Sequence, residues 1–291
     1  MKILAIVCSK GGVGKSTLSV NLSAALSIME FHKNTQDPGK ILLVDMDPQY
    51  HSGKTISSGV FGTDENEKED DELTLGSFLM NKTPIHRINK IVKKSHLPAK
   101  DNINNLYYIP SNTTSMEDAD TRLRNDVSGR WRLADLLKSL DDTYKYVVID
   151  TPPNLSIMTE NALIAATHVV VPVVLTPYGL EGLVKTIKKI EEIQNDSRIN
   201  PNLEFSGIAI TRGNLWHAEE SEWHKILKNK YGKLVLPPIA NRTEINMAET
   251  QGLDIFSYKP PRDPTSIASS SKATQEYATL ADEIKKRIDN T

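Results

Sequence analysis

An α/β fold, with a mostly parallel twisted sheet and helices on both of its faces, is predicted by three features of the 291-residue sequence. Short, uninterrupted apolar runs recur along the chain, as expected for strands that are buried on both faces. Segments with an apolar stripe at helical spacing separate these runs. The alternation continues without a shift in composition, so the sequence predicts one domain over residues 1–291.

The predicted elements follow one another in regular order. Residues 3–7 are wholly apolar and predict a buried strand, residues 16–29 carry an apolar helical stripe, and residues 41–44 predict a second strand. The further predicted strands are residues 106–109, 146–149, 169–175, 205–211 and 233–236. The further predicted helices are residues 133–140, 156–166, 180–193, 219–230 and 273–288. Residues 51–72 are expected to form a charged surface loop whose acidic run, 64–72, is either simply solvated or a docking segment for a basic partner.

Composition excludes several classes of protein. A single cysteine, Cys8, excludes a disulfide framework and a cysteine cage for zinc or iron–sulfur within one chain. His217 and His224 stand about two helical turns apart with no third ligand evident, so a metal site there is not expected. There is no membrane-length apolar run and no signal-peptide pattern, and a cytoplasmic location is expected. The formal charge is −2, so nucleic-acid binding would need a local basic patch.

A glycine-rich loop follows the first predicted strand and precedes the first predicted helix. It reads Ser-Lys-Gly-Gly-Val-Gly-Lys-Ser-Thr over residues 9–17, in the strand–loop–helix context of a phosphate-binding loop. The backbone amides of its glycines would surround phosphate oxygens, Lys15 would reach the β- and γ-phosphates, and Ser16 would ligate Mg²⁺. The predicted nucleotide-binding residues of this loop are Gly11, Gly12, Val13, Gly14, Lys15, Ser16 and Thr17, the last of them at the α-phosphate.

Two acidic motifs end later strands. Asp45 and Asp47 follow the strand at 41–44, and Asp150 follows the strand at 146–149. Because ligands of parallel α/β sheets bind at the carboxyl ends of the strands, these acids are expected to converge on the phosphate loop. A carboxylate there would hold Mg²⁺, partly through water. The three motifs together predict a magnesium–triphosphate site.

The spacing Lys-Gly-Gly-x-Gly-Lys-Ser from Lys10 onward resembles the deviant Walker A motif of the ParA/MinD family, with serine at position 9 where the standard loop has glycine. The resemblance implies a P-loop NTPase fold, ATP and Mg²⁺ as cofactors, and a role for Lys10 across a dimer interface. It further implies that Asp150 is the Walker B carboxylate, that Asp47 positions the attacking water, and that Asp45 supports the metal shell. Lys10, Lys15 and Asp47 are the predicted catalytic residues, and Ser16, Asp45 and Asp150 the predicted metal ligands.

Resemblance to the ParA type extends over residues 149–183 and over the predicted loop and helix at 239–252, whereas residues 50–105 match poorly. By this resemblance Thr211 and Arg212 border the adenine, and the loop containing Pro238 covers its other side. No arginine finger is identifiable from the sequence, so basal ATP hydrolysis is expected to be slow.

The expected function is therefore that of an ATP-dependent, dimerising switch for DNA segregation or cargo positioning. An ATP-bound homodimer would bind non-specific DNA, and a ParB-like or cargo-adaptor partner would stimulate hydrolysis, which implies a nucleoid-associated location. The candidate DNA contacts are Lys225, Lys228, Lys230, Lys233, Arg262, Lys272, Lys285, Lys286 and Arg287.

Three alternatives to this function remain to be compared with the sequence features. A MinD-like ATPase positioned on a membrane would need a C-terminal helix with a broad apolar face, which residues 280–291 do not show, so no stable membrane anchor is expected. An electron-transfer reductase of the same fold would need paired cysteines. A protein that binds ATP without turnover is not suggested, because all three acids are present. The sequence does not identify the cargo.

Overall fold

The computed structural model describes residues 1–58, 73–99, 102–140, 143–214, 217–259 and 271–290. The strands are β1 (Lys2–Ile6), β2 (Ile41–Asp45), β3 (Lys93–Lys94), β4 (Leu106–Tyr108), β5 (Tyr146–Asp150), β6 (His168–Val173) and β7 (Glu204–Ile210). The helices are α1 (Lys15–Lys33), α2 (His51–Ser58), α3 (Leu75–Leu79), α4 (Thr113–Arg124), α5 (Arg132–Lys138), α6 (Ile157–Ala165), α7 (Pro177–Asn195), α8 (Ala218–Tyr231), α9 (Thr243–Thr250) and α10 (Lys272–Asp289).

The seven described strands form one sheet in the order β3-β4-β2-β5-β1-β6-β7. All neighbouring pairs are parallel except β3 with β4, which is antiparallel. Because the six longer strands point the same way, the loops that follow β1, β2 and β5 meet at one edge of the sheet. The phosphate loop and both acidic motifs therefore lie on that edge.

Apolar side chains cover both faces of the sheet. Along β1, Ile3 and Ala5 belong to one core cluster, and Leu4 and Ile6 belong to the other. The first cluster includes residues of α3 to α8, and the second includes residues of α1, α2, α9 and α10. The predicted α/β architecture, with helices on both faces of a mostly parallel sheet, is confirmed.

Two predictions about local structure were wrong. Residues 233–236 were predicted to be a strand, but Gly232–Leu234 form a 3₁₀ turn and Val235 makes one isolated bridge to Ile208. Pro237 and Pro238 follow at once, and a proline cannot donate to a ladder, so the pairing is interrupted until the Ile239 amide donates to the Ile210 carbonyl. Residues 51–58 of the predicted charged loop instead form α2, which buries Ile56 completely. The acidic run 64–72 lies outside the described residues.

The first and last helices of the chain are joined by a buried ionic cluster. Glu30 of α1, which is 2% exposed, lies within ion-pair distance of Lys285 of α10 and of Lys145. Lys285 also donates to the hydroxyl of Tyr146 at 2.9 Å. This cluster fixes α10 against α1 at the edge of the sheet opposite the phosphate loop. In the described part of the chain no helix has both the length and the hydrophobicity that a bilayer crossing requires.

Candidate nucleotide-binding site

The phosphate loop adopts the conformation that its glycines permit. Gly12 and Gly14 have φ angles of +74° and +73°, a region that other residues adopt only with strain. Gly14 is also the N-cap residue of α1, and no side chain caps the helix there. The first amide groups of α1 are therefore open toward the loop, which is the arrangement that binds phosphate at a helix N-terminus.

Lys15 lies inside the loop. Its side chain lines a cavity of about 650 Å³, and the residue is only 7% exposed. Its Nζ atom donates a hydrogen bond to the carbonyl oxygen of Lys10 at 3.0 Å. Burial lowers the pKa of Lys15, and the negative charges of Asp150 and Asp47 oppose that shift. A phosphate anion in the cavity would add to the counter-charge that Asp150 and Asp47 supply to this desolvated ammonium group.

The side chain of Lys10 points away from the cavity that Lys15 lines. Its aliphatic chain packs on Gly182 of α7, so closely that a Cβ atom at Gly182 would lie 2.4 Å from the Lys10 Cγ atom. Ser9 anchors this contact, because its hydroxyl donates to the Gly182 carbonyl at 3.1 Å and its amide donates to Thr186 Oγ1 at 3.1 Å. Lys10 is not among the residues that line the cavity. The side chain of Lys15 thus enters the cavity, whereas that of Lys10 packs against α7.

Asp150 and Asp45 are register partners in adjacent strands, β5 and β2. Asp150 is fully buried, its Oδ1 atom accepts from Ser19 and from the Thr151 amide, and its Oδ2 atom has no hydrogen-bond partner among the described residues. Burial raises its pKa, and nearby Ser16 and Lys15 oppose that shift. A buried carboxylate oxygen without a partner is costly unless a cation or donor satisfies it.

Asp45 has both carboxylate oxygens occupied by the backbone. Oδ1 accepts from the Asp47 amide and Oδ2 from the Gly53 amide, each at 2.9 Å. Burial and the neighbouring Asp150 raise the pKa of Asp45 to about 8. These bonds fold the chain after β2 and bring α2 to the site. Its proposed support of the metal shell remains a prediction; the bonds show directly that it shapes the loop bearing Asp47.

Asp47 lies on the cavity wall. It is 7% exposed and lines the cavity together with Gly11 and Pro153. Its Oδ1 atom accepts from the Gln49 amide at 3.0 Å, which fixes the orientation of the carboxylate. The structure therefore brings Asp47 to the phosphate loop, as the sequence predicted, and its role toward water remains a prediction.

Of the three residues predicted to contact adenine, Thr211 and Arg212 line one small cavity together, whereas Pro238 lies apart from them. Thr211 is buried and donates to the Val13 carbonyl at 2.7 Å, which ties the end of β7 to the phosphate loop. Arg212, with φ of +52°, lines the large cavity and also a small one of about 20 Å³ that adjoins it. Pro238 lines a different surface depression, together with Lys228 and Lys233. The adenine contacts remain a prediction.

Several residues that sequence reasoning missed also line the large cavity. On α9 these are Ile245, Asn246, Glu249 and Thr250, and on or near α2 they are Gln49, His51 and Thr55. Glu249 is in direct contact with the phosphate loop, since Thr17 Oγ1 donates to Glu249 Oε1 at 3.3 Å. Gln49 could have been found, because it directly follows Asp47-Pro48. Nothing in the sequence around α9 places that helix beside residue 17.

The site fits a magnesium–triphosphate in its donors and its charge. The ligand candidates nearest Lys15, namely Ser16 and Asp150, offer hard oxygen atoms, which Mg²⁺ prefers, and Asp150 has a buried oxygen to spare. Within the described ranges no group of three or more His, Cys, Asp or Glu side chains could hold a metal ion. A magnesium site usually has one or two protein ligands and is completed by phosphate oxygens and water.

Comparison with known proteins identifies relatives over almost the whole chain. A family model described as AAA domain, AAA_31, matches residues 1–205. The chain is 32% identical over 288 residues to the sporulation initiation inhibitor protein Soj of Bacillus subtilis, covering 97% of this chain and 98% of Soj. It is 30% identical over 291 residues to the chromosome partitioning protein ParA of Myxococcus xanthus, covering 98% and 88% of the two chains. In structure it resembles an ATP complex of McdA from Cyanothece, with a TM-score of 0.77 at 18% identity, over 99% and 96% of the two chains.

Proposed function

The chain belongs to the AAA_31 family of AAA domains and to the ParA/Soj group of partition ATPases, and we propose that it acts as an ATP-dependent dimerisation switch. In this proposal ATP joins two copies of the chain, the dimer binds DNA without sequence preference, and hydrolysis separates the copies. The ATPase class and the ATP and Mg²⁺ cofactors are those of the family that the sequence predicted.

The separation of the two loop lysines is the observation on which the dimer rests. Lys15 enters the cavity of its own chain, whereas Lys10 lies outside it against Gly182. A partially exposed ammonium group at the rim of a phosphate site can reach a second molecule docked on that face. Tyr178, which lies one turn before Gly182 on α7 and is 75% exposed, adds apolar surface beside it. ATP in the partner would then be contacted by Lys10 of this chain.

Each residue of the site has a separate proposed role in ATP hydrolysis. Ser16 and Asp150 would hold Mg²⁺, whose charge would offset the charge of the phosphate oxygens during transfer. Lys15 and the open amides of α1 would hold the β- and γ-phosphates. Asp47, oriented by the Gln49 amide, would hold the attacking water. No arginine finger is identifiable from the sequence, so slow basal hydrolysis is proposed.

The DNA contacts are proposed to lie on the C-terminal half of α8 and the turn after it. Lys225, Lys228, Lys230 and Lys233 are exposed and, within the described part of the chain, have no acidic partner. Three of the candidates on α10 are different, because Lys285 pairs with Asp289, Lys286 with Asp282 and Arg287 with Glu283, whereas Lys272 at the start of α10 is exposed. These acids offset the charge of α10, so α8 carries the proposal. Arg262 lies outside the described residues.

Membrane positioning in the manner of MinD is the second candidate, and α10 argues against it. An interfacial helix needs an apolar face that is free to enter the bilayer. The apolar residues of α10, which are Ala273, Tyr277, Leu280, Ala281, Ile284 and Ile288, are buried in the core. We therefore propose a nucleoid-associated cytoplasmic protein that is stimulated by a ParB-like or cargo-adaptor partner.

Retention on immobilised non-specific DNA and on anionic liposomes tests the two candidates side by side. Each surface is presented with ATP, ADP or no nucleotide at two salt concentrations, and Asp150→Asn serves as the nucleotide-site control. ATP-dependent retention on DNA that weakens with salt is the expected result. The proposal would be contradicted if the protein were retained only on liposomes, or if its retention on DNA were the same with ATP, with ADP and without nucleotide.

A further inference from the structure

Glu249 of α9 occupies the mouth of the phosphate loop. Its Oε1 atom accepts a hydrogen bond from Thr17 Oγ1 at 3.3 Å, and its side chain lines the same cavity as Gly12, Lys15 and Asp47. The inference rests on the proposed function, in which Thr17 lies at the α-phosphate. The negatively charged Glu249 therefore lies beside the position that the negatively charged α-phosphate would occupy.

A carboxylate repels a phosphate, so a nucleotide whose α-phosphate bonds Thr17 would displace Glu249 from that bond. It can turn, because its side chain has two methylene groups between the backbone and the charge. The group of the nucleotide that follows the α-phosphate is the ribose, joined to it through one oxygen and one carbon. Ribose hydroxyls are neutral donors, and an ionised carboxylate only accepts, so the two are complementary.

The backbone around Glu249 is fixed on three sides, which limits that movement to the side chain. Ala248 beside it is buried in the core. The Ile255 amide, after α9, donates to Asn21 Oδ1 of α1 at 2.7 Å. At the start of α9, the guanidinium of Arg242 bonds to Glu276 of α10. Helix α9 is thus held against α1, and its cavity face presents Ile245, Asn246 and Glu249 to the nucleotide.

We propose that Glu249 is a specificity-determining residue that accepts hydrogen bonds from the ribose hydroxyls of the bound nucleotide and so selects ribonucleotides over deoxyribonucleotides. A carboxylate that bonds a ribose hydroxyl is the device by which dinucleotide folds recognise the same sugar. The bond to Thr17 is the position of this side chain before the nucleotide enters.

Calorimetric titration with unlabelled ADP, 2′-deoxy-ADP and 3′-deoxy-ADP tests the inference without turnover, and ribose-labelled fluorescent analogues are avoided because the label occupies the hydroxyls. The parent chain is expected to bind ADP about tenfold more tightly than at least one deoxy analogue, the usual effect of a hydrogen bond to a charged group. In Glu249→Ala, ADP affinity should fall by that factor while affinity for the analogue stays the same. Glu249→Gln, which keeps an acceptor oxygen, should retain part of the preference.

The matched control is Glu219→Gln, which removes one exposed charge from α8 and should leave all three affinities unchanged. An unaltered ADP-to-deoxy-ADP ratio in Glu249→Ala overturns the inference. So does equal tightening of all three nucleotides, which would show that Glu249 acts only by repulsion. If the parent chain binds none of the three nucleotides, the proposed function itself fails, and that outcome is distinct from the other two.

Discussion

The side chain of Lys10 lies across the Cα atom of Gly182, at a distance that leaves no room for a methyl group on the helix. This contact holds the lysine at the rim of the phosphate loop and away from the cavity that Lys15 enters. The position of Lys10 is therefore set by α7, which is more than 170 residues away in sequence from the loop that carries it.

Gly182→Ala is expected to separate stability from dimerisation. A Cβ atom there would lie 2.4 Å from Lys10 Cγ and 3.3 Å from Lys10 Cβ, so the lysine must move. Alanine is favoured over glycine inside a helix by up to about 1 kcal/mol, which offsets the cost of moving Lys10, so the unfolding temperature should change little. ATP-dependent dimerisation, measured by light scattering, should weaken by about tenfold, the usual effect of losing a charge-assisted contact. Dimerisation equal to that of the parent chain would show that the rim position of Lys10 is irrelevant.

Lys10→Ala should lose dimerisation, whereas Lys15→Ala should lose ATP binding. Lys10 lies outside the cavity of its own chain, so Lys10→Ala should bind ATP as a monomer with little change in affinity but should not dimerise. Lys15 lies inside the cavity, and its replacement should abolish measurable ATP binding. Calorimetry and light scattering on both variants give the two readouts. Loss of monomeric ATP binding in Lys10→Ala would contradict the assignment.

Replacing the four exposed lysines of the α8 region, Lys225, Lys228, Lys230 and Lys233, with alanine should weaken DNA binding and flatten its salt dependence. The slope of log K against log salt should fall by about 0.9 for each phosphate contact that is lost. Lys286→Ala is the control, because Lys286 is also exposed but is paired with Asp282. Fluorescence anisotropy at several salt concentrations measures the slopes. If Lys286→Ala weakened DNA binding as much as the α8 variant does, the DNA contacts would lie on α10 and not on α8.

Glu276→Ala should weaken nucleotide binding from a position on α10. Glu276 accepts from the Ala240 amide and from the guanidinium of Arg242, and so fixes the loop that walls the smaller cavity. Losing charge-assisted bonds that order a binding loop is expected to weaken binding by about tenfold. Glu283→Ala removes a comparable pair with Arg287 from the same helix and should leave nucleotide affinity intact. Equal losses in the two variants would indicate general destabilisation.

Acidification should destabilise the chain partly through His168. Burial in β6 lowers the pKa of this histidine below its ordinary value of 6.5. The unfolded chain therefore takes up a proton that the folded chain resists, and stability falls as the pH drops below about 6.5. Chemical unfolding at pH 5 and pH 7.5 should show a smaller pH effect in His168→Asn than in the parent. His32→Gln, on the exposed end of α1, should leave the effect as it was.

The sequence by itself determined the six longer strands and the phosphate loop. Runs such as residues 146–149 are apolar at every position, and only a strand covered on both faces buries all of them. Elements with weaker patterns were missed, because α4 buries only Met116, Ala119 and Leu123 of its twelve residues and β3 is a pair of exposed lysines. In these elements tertiary neighbours, rather than a sequence period, stabilise the conformation.

The tertiary structure alone decided which side chains meet. Lys10 against Gly182, Glu249 against Thr17 and Lys285 against Glu30 join segments that are far apart in the chain. A motif specifies the residues of a loop, because their backbone angles and donors are local properties. The partner of a side chain depends on how helices pack across a sheet, and that packing depends on the fold of the whole chain. For this reason the phosphate loop could be identified from nine consecutive residues, whereas the wall formed by α9 could not.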